Sequence, residues 1–96
     1  MIRHTVAFTL KHAAGSADEQ AFLTAGRVLA NIAGVERFEQ LRQVSAKCGY
    51  AFGFSMEFAD QAAYDAYNVH PIHVAFVRDR WVPEVASFQE IDYIPL

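Results

Sequence analysis

The stretch YNVHPIHVAF, residues 67–76, divides the second helical region of the chain at a proline. The residue before a proline avoids helical geometry, so the Ala-rich segment ADQAAYDAYNV is predicted to form a short helix that ends before His70. Pro71 suits the first turn of a new helix, predicted over about 71–82, and Pro83 is expected to break it. The stretch therefore predicts two short helices joined at a histidine and a proline.

Alternating apolar residues predict the strands of a sheet. The segment IRHTVAFTL (2–10) alternates regularly, with His4 as the polar member of its apolar face. The segments VERFEQLRQVSA (35–46) and AFGFSMEF (51–58) flank the turn KCGY and are predicted to form a hairpin. The segment SFQEIDYI (87–94) is predicted to be the last strand.

A further helix is predicted between the first two strands. Ser16 and Glu19 form a capping box, apolar residues recur at helical spacing over about 17–32, and Gly34 suits the end of the helix. Asp60 is a candidate cap for the second helical region. The order β-α-β-β-α-β predicts an α+β, ferredoxin-like fold, with an antiparallel sheet and its helices on one face.

Length and composition favour one folded domain over residues 1–96. The chain is 53% hydrophobic and 20% charged, a balance that is typical of a packed globule. A predicted sheet with helices on one face only leaves its other face uncovered. A chain this small gains stability by packing that face against a partner, so we expect a homodimer.

Charge and hydropathy argue against two classes of partner. The net charge is −3, and the 8 Lys and Arg residues are scattered, so we expect no nucleic-acid binding. No apolar stretch reaches the roughly 18 residues needed to span a bilayer, and the first residues do not resemble a signal peptide. We therefore expect no membrane partner and a cytoplasmic location. The single Cys48 has no cysteine partner and is interpreted as incidental.

Two side chains of the opening stretch can carry acid–base chemistry. If Pro71 begins a helix, His73 lies in its first turn, where the positive end of the helix opposes protonation of an imidazole. A neutral imidazole can accept a proton near physiological pH, and a phenol such as Tyr67 can donate a hydrogen bond to an oxyanion. His73 and Tyr67 are therefore candidates for enolate chemistry.

Alternatives remain open for the histidines. His4 joins the site if the strand face that it shares with Val6 and Phe8 is the one that the helices cover, and these residues would then contact a substrate. Three imidazoles from His4, His70 and His73 could instead hold zinc, although the pair lacks the i, i+4 spacing of strong metal motifs. Purely structural roles are a third interpretation, with His70 capping a helix.

Three segments carry a resemblance to a known family. They are the opening strand IRHTVAFTLK with its histidine, the stretch YNVHPIHVAF, and the closing segment FQEIDYIP with its DY pair. Over nearly its whole length the chain resembles the stress-responsive α/β barrel (Dabb) domain of the dimeric α+β barrel superfamily. The resemblance implies that two copies pair their sheets into a dimeric α+β barrel.

The resemblance also implies a chemistry. The HPxHV segment is similar to that of plant polyketide cyclases of the family, which close a linear polyketide thioester by aldol condensation without a cofactor. By that resemblance Tyr67 and His73 fall on the catalytic tyrosine and histidine, and His4 and His70 fall on histidines that line the same pocket. Phe52 stands where the cyclase-like pattern has a histidine, which implies a more apolar wall.

Two other functions fit the same features. The dimer could be a non-catalytic stress-response or binding protein that encloses a small apolar, aromatic or acyl ligand. It could also be a metal-independent isomerase or oxygenase, since the superfamily hosts several chemistries on one scaffold. In all of these functions we expect no cofactor.

Overall fold

The computed structural model describes the whole chain, residues 1–96, as a four-stranded sheet with helices on one face. The strands are β1 (Ile2–Leu10), β2 (Glu36–Arg42), β3 (Phe52–Phe58) and β4 (Val85–Tyr93). The helices are α1 (Ala17–Gly26), α2 (Gln61–Asn68), α3 (Pro71–Phe76) and α4 (Val82–Glu84). A 3₁₀ turn (Arg27–Asn31) follows α1, and a π-helical turn (Val77–Trp81) joins α3 to α4.

The sheet has the strand order β2-β3-β1-β4, and every neighbouring pair is antiparallel. This topology confirms the predicted α+β, ferredoxin-like fold and the β2–β3 hairpin. In the centre of the sheet His4 lies opposite Met56 on one side and opposite Asp92 on the other. None of the helices is long and apolar enough to cross a membrane.

Strand β1 shows which face of the sheet the helices cover. Its buried residues are His4, Val6, Phe8 and Leu10, and they alternate with more exposed residues. The buried hydrophobic residues of β3 follow the same alternation, and Phe54 and Phe58 contact Phe22 of α1 and Tyr64 of α2. The face that His4 shares with Val6 and Phe8 is therefore the covered one, which decides the question that alternation alone left open.

Helix caps lie where the sequence predicts them. The Ser16 hydroxyl accepts a hydrogen bond from the Glu19 N–H (3.2 Å), while the Glu19 carboxylate accepts one from the Gly15 N–H (3.1 Å). The Asp60 carboxylate accepts a hydrogen bond from the Ala63 N–H at the start of α2 (2.9 Å). The second helical region is divided as predicted, with Pro71 as the first residue of α3.

The first helix is shorter than the predicted 17–32. The α-helical geometry ends at Gly26, and the chain tightens into the 3₁₀ turn Arg27–Asn31. Gly26 lies directly against the Phe54 ring, where an added Cβ would come within 2.9 Å of the Phe54 Cζ atom. The close approach of the helix to the sheet therefore requires a residue without a side chain at this position.

Two other predicted boundaries are wrong. Strand β2 ends at Arg42 and does not continue to residue 46, because the Gln43 side chain donates to the Cys48 and Tyr50 carbonyls and closes a loop there. Pro83 does not end the helix, since helical geometry continues to Glu84. The wide π-helical turn before α4 changes the hydrogen-bond spacing, which relieves the clash that proline makes in a regular helix.

The core between helices and sheet is built mainly from aromatic rings. Phe8 is its centre, with its ring centroid 4.8 Å from that of Phe54 and 5.0 Å from that of Trp81. The buried hydrophobic cluster comprises Val6, Phe8, Leu10, Phe22, Leu29, Ile32, Phe52, Phe54, Met56, Phe58, Tyr64, Tyr67, Phe76 and Val85. The phenylalanines of β3 therefore belong to the core, and the single tryptophan packs against it.

Truncation of Phe54 tests this description of the core. Phe54→Ala should lower the free energy of unfolding by about 3–5 kcal/mol, because it removes a ring that is 2% exposed and leaves a cavity. The matched control Phe88→Ala, at a ring that is 51% exposed, should cost about 1 kcal/mol or less. Urea denaturation measures both values, and equal losses in the two variants would contradict the proposed packing.

Candidate functional site

A cavity of about 310 Å³ lies between the helices and the centre of the sheet. Ten of its 14 lining residues are hydrophobic, and the polar ones come from β1, α2, α3 and β4. The lining residues are His4, Val6, Leu29, Phe54, Met56, Tyr67, Asn68, His73, Phe76, Val77, Trp81, Val82, Phe88 and Glu90. An apolar concave site with a few polar side chains is the usual form of a small-molecule pocket.

Tyr67 and His73 meet in this cavity. Their ring centroids are 4.3 Å apart, with the ring planes inclined by 42°. Tyr67 lies in the last turn of α2 and His73 in the first turn of α3, so the break between these helices brings the rings together. The two residues that the sequence predicts as a catalytic pair are therefore in contact.

The hydrogen bond of His73 fixes its tautomer. Its Nδ1 lies 3.1 Å from the Asn68 carbonyl oxygen, which can only accept, so Nδ1 carries the proton and Nε2 is left as an acceptor. Burial lowers the pKa of His73 below its ordinary value of 6.5, although the Asn68 carbonyl acts in the opposite direction. The lowered pKa favours the predicted neutral state, and its main cause is burial of the ring and not the helix end.

Tyr67 is held as a neutral phenol. Its side chain is almost completely buried, and burial raises its pKa well above the ordinary value of 10, with the nearby Glu90 carboxylate adding to the effect. A phenol that keeps its proton can donate a hydrogen bond to a ligand oxygen over the whole physiological pH range.

His4 belongs to a hydrogen-bonded cluster with Tyr64 and Asp92. The His4 Nδ1 lies 2.6 Å from Asp92 Oδ1, and the Tyr64 hydroxyl donates to Asp92 Oδ2 at 2.8 Å. Tyr64 Oη also lies 2.9 Å from His4 Nδ1. Since a carboxylate only accepts, Nδ1 of His4 carries a proton and its ring is fixed in orientation. His4 also lines the cavity, so this cluster supports one of its polar walls.

Three predicted contacts lie outside the cavity. His70 caps α3, where its Nδ1 accepts a hydrogen bond from the Ile72 N–H (3.1 Å), so its role is the structural one. Phe8 is fully buried beneath the cavity, among the aromatic rings of the core. Phe52 is likewise a core residue against Phe8 and forms no wall of the cavity. The expected substrate contacts of His70 and Phe8 are thus corrected, whereas His4 and Val6 do line the cavity.

The zinc alternative is not supported by the geometry. The chain contains no group of three or more His, Cys, Asp or Glu side chains that could hold a metal ion. His4 and His73 line the cavity but His70 does not, so the three imidazoles do not converge there.

Sequence reasoning missed Tyr64, Asp92 and Glu90. Asp92 and Glu90 point toward the helix side because they lie opposite His4 and Val6 in the β1–β4 register. Alternation within the closing strand contains this signal, but the register of two strands that are far apart in sequence is needed to use it. Tyr64 precedes Tyr67 by three residues, which places both on one face of α2.

The family model for the stress responsive A/B barrel domain, Dabb, matches residues 2–95. This chain belongs to the Dabb family. A Dabb family protein from Mesorhizobium loti with a ferredoxin-like fold is 68% identical to it, covers 99% of this chain and 96% of its own, and superposes with a TM-score of 0.98. No curated protein matches the chain.

Two more distant structures share the fold. A dimeric ferredoxin-like protein of unknown function from Thermobifida fusca is 21% identical, with a TM-score of 0.80 and coverage of 98% of this chain and 90% of that one. A hydroxynitrile lyase from Passiflora edulis is 13% identical, with a TM-score of 0.83 and coverage of 99% and 93%. At these identities the likeness shows a shared fold and nothing further.

Proton NMR across pH tests the environment of His73. Its imidazole should titrate below 6.5 in the folded chain, and its resonances should shift in Tyr67→Phe but not in the control Tyr93→Phe, whose ring is half exposed on β4. A titration at or above 6.5 in the folded chain would contradict burial of the ring.

The sign of the shift also predicts a pH effect on stability. The unfolded chain takes up the His73 proton first as the pH falls, so the free energy of unfolding should decrease below about pH 6.5. That decrease should be smaller in His73→Ala, as measured by urea denaturation between pH 5 and 8.

Proposed function

We propose that this Dabb-family protein is a cofactor-free lyase or cyclase that acts on a polyketide-like or acyl substrate through enolate, aldol-type chemistry. The observation that carries the proposal is the contact between Tyr67 and His73, 4.3 Å between ring centroids, at the wall of an apolar cavity. One group accepts a proton and the other donates a hydrogen bond, which are the two functions that enolate formation needs.

His73 is proposed as the base. Its Nε2, left unprotonated by the bond from Nδ1 to Asn68, would take a proton from a carbon next to a substrate carbonyl. The lowered pKa keeps this nitrogen free at neutral pH, although it also makes the base weaker than an exposed imidazole. Exclusion of water by the apolar walls compensates by strengthening every polar interaction inside the cavity.

Tyr67 is proposed to stabilise the enolate. As the proton leaves, negative charge develops on the carbonyl oxygen, and the Tyr67 hydroxyl would donate a hydrogen bond to that oxygen. The enolate carbon then attacks a second carbonyl group of the same substrate molecule, and the new alkoxide takes the proton back from His73. Atoms and charges balance without any cofactor.

Two likenesses support this chemistry. The HPxHV segment resembles that of olivetolic acid cyclase, whose reaction is an intramolecular aldol closure. The hydroxynitrile lyase from Passiflora edulis, which shares the fold, is named as a lyase. The first likeness supports the proposed roles of the site residues. The second supports the idea that this fold can carry lyase chemistry.

Apolar walls favour a second candidate function. Because ten of the 14 lining residues are hydrophobic, the cavity could hold a small aromatic or acyl ligand without converting it, as a non-catalytic binding protein of the stress response. The binder and the enzyme differ in one measurable respect, since only the enzyme depends on the proton that His73 accepts.

Turnover of linear polyketide thioesters distinguishes the two functions. With a panel of diketide to tetraketide thioesters, His73→Ala should lower the rate by about 10²-fold or more, and Tyr67→Phe by about 10-fold or more. Both variants should keep the far-ultraviolet circular dichroism of the parent, because neither removes much apolar packing. The control His12→Ala, outside the cavity, should retain the rate.

Retention of a ligand by the purified protein would distinguish the binding function from the catalytic one. If the purified protein carries an acyl or aromatic molecule, and His73→Ala carries the same molecule with no rate difference on any thioester, the binding function replaces the catalytic one. Unfolding of His73→Ala would instead assign the histidine a structural role.

We also propose that the protein is a homodimer formed through the uncovered face of its sheet. That face holds the partly exposed residues Thr5, Leu41 and Ile91, while the helices cover the other face. Some proteins that share the fold are described as dimeric, including the one from Thermobifida fusca. Burial of two such faces against each other would remove apolar surface from water.

Sedimentation velocity tests the dimer. Ile91→Asp should shift the protein toward the monomer, because it places an unpaired charge on the proposed interface. The control Val69→Asp changes an exposed valine between α2 and α3, on the helix side, and should leave the sedimentation coefficient unchanged. A monomeric parent protein at micromolar concentration would contradict the proposal.

A further inference from the structure

The cavity contains a single formally charged residue, Glu90. The other 13 lining residues include no Lys, Arg or Asp, and its two histidines are His4 and His73. Arg78 lines only the neighbouring outer groove and does not reach this cavity. Glu90 is therefore the one carboxylate among the lining residues, and none of them is Lys or Arg.

Glu90 is placed to act on a bound ligand. It lies on the edge strand β4 opposite Val6, which puts it on the helix side of the sheet beside the proposed catalytic pair. It forms none of the ion pairs of the chain. Its charge adds to the effect of burial in raising the pKa of Tyr67 and opposes the lowering of the pKa of His73 by burial, which supports its proximity to both side chains.

Aromatic rings surround the same space. Tyr67, Phe54, Phe76, Trp81 and Phe88 all line the cavity, and Trp81 meets Phe88 edge to face at 5.5 Å beside Glu90. The faces of aromatic rings carry partial negative charge and attract cations, whereas they repel anions. The rings and the carboxylate thus both favour a cationic ligand over an anionic one.

We propose that Glu90 makes this cavity select uncharged or cationic aromatic and acyl ligands and reject carboxylates. The inference rests on the pocket of the proposed function and deepens it by naming the substrate class. An acyl substrate would enter as a thioester, ester, ketone or aldehyde and not as the free acid. A ligand with an amine or hydroxyl group could in addition donate a hydrogen bond to Glu90.

Three probes with the same carbon skeleton and different charge test the selection. They are 4-phenylbutylamine, 4-phenylbutanol and 4-phenylbutyrate, at pH 7.5 and about 20 mM salt, where screening is weak. Trp81 is the only tryptophan and lines the cavity, so its fluorescence reports binding directly. We expect the amine to bind most tightly, the alcohol next, and the carboxylate at least about 10-fold more weakly than the amine.

The variant Glu90→Gln assigns the effect to the residue. It keeps the size of the side chain and one accepting oxygen but removes the charge, so the ratio of amine to carboxylate affinity should fall to about one- to threefold. The control Glu36→Gln makes the same change in net charge on β2, at the opposite edge of the sheet, and should keep the parent ratio. Raising the salt to about 500 mM should also reduce the parent ratio.

Two results would overturn the inference, and they differ in their meaning for the proposed function. If the carboxylate binds as tightly as the amine, or if Glu90→Gln keeps the parent ratio, the charge selection is wrong while the pocket stands. If none of the three probes changes Trp81 fluorescence, both the charge selection and the pocket of the proposed function are contradicted.

Discussion

The break in the helical region at His70 and Pro71 is the constraint on which the candidate site depends. One continuous helix from Gln61 to Phe76 would advance about 1.5 Å per residue and place His73 about 9 Å along the helix axis from Tyr67. Pro71 interrupts the helix because the residue before a proline avoids helical geometry. His70 then caps α3, because its Nδ1 accepts a hydrogen bond from the Ile72 N–H. The two rings meet in the angle between the helices. His70 therefore supports the geometry of the site through its cap on α3, although it does not line the cavity.

Burial determines the protonation of the polar groups, and hydrogen bonds determine their orientation. Burial lowers the pKa of His73 and raises that of Tyr67, so both are neutral at the same pH, one as an acceptor and the other as a donor. Backbone and carboxylate partners then fix orientation: the Asn68 carbonyl holds His73, and Asp92 holds His4. Solvent access controls protonation, and local geometry controls which nitrogen faces the ligand.

Local signals predicted most of the fold, and they failed where long-range packing decides. Ser16, Asp60 and Pro71 mark helix starts because a cap or a proline acts within one turn, and these positions are confirmed. The end of α1 depends on how closely Gly26 approaches Phe54 on another element, which no local pattern contains. For the same reason Tyr67 and His73 were found from a short segment, whereas Asp92 and Glu90 required the β1–β4 register.

The core and the cavity share walls, and this limits how the site can change. Phe54 and Met56 belong to the buried cluster and also line the cavity, so substitutions there alter the ligand space and the stability together. Glu90 differs, because it lies on an exposed edge strand that the helices leave open. A change of its charge disturbs little packing while it acts directly on the polar end of the cavity. Position 90 is therefore a place in this fold where ligand preference can vary at little cost to folding.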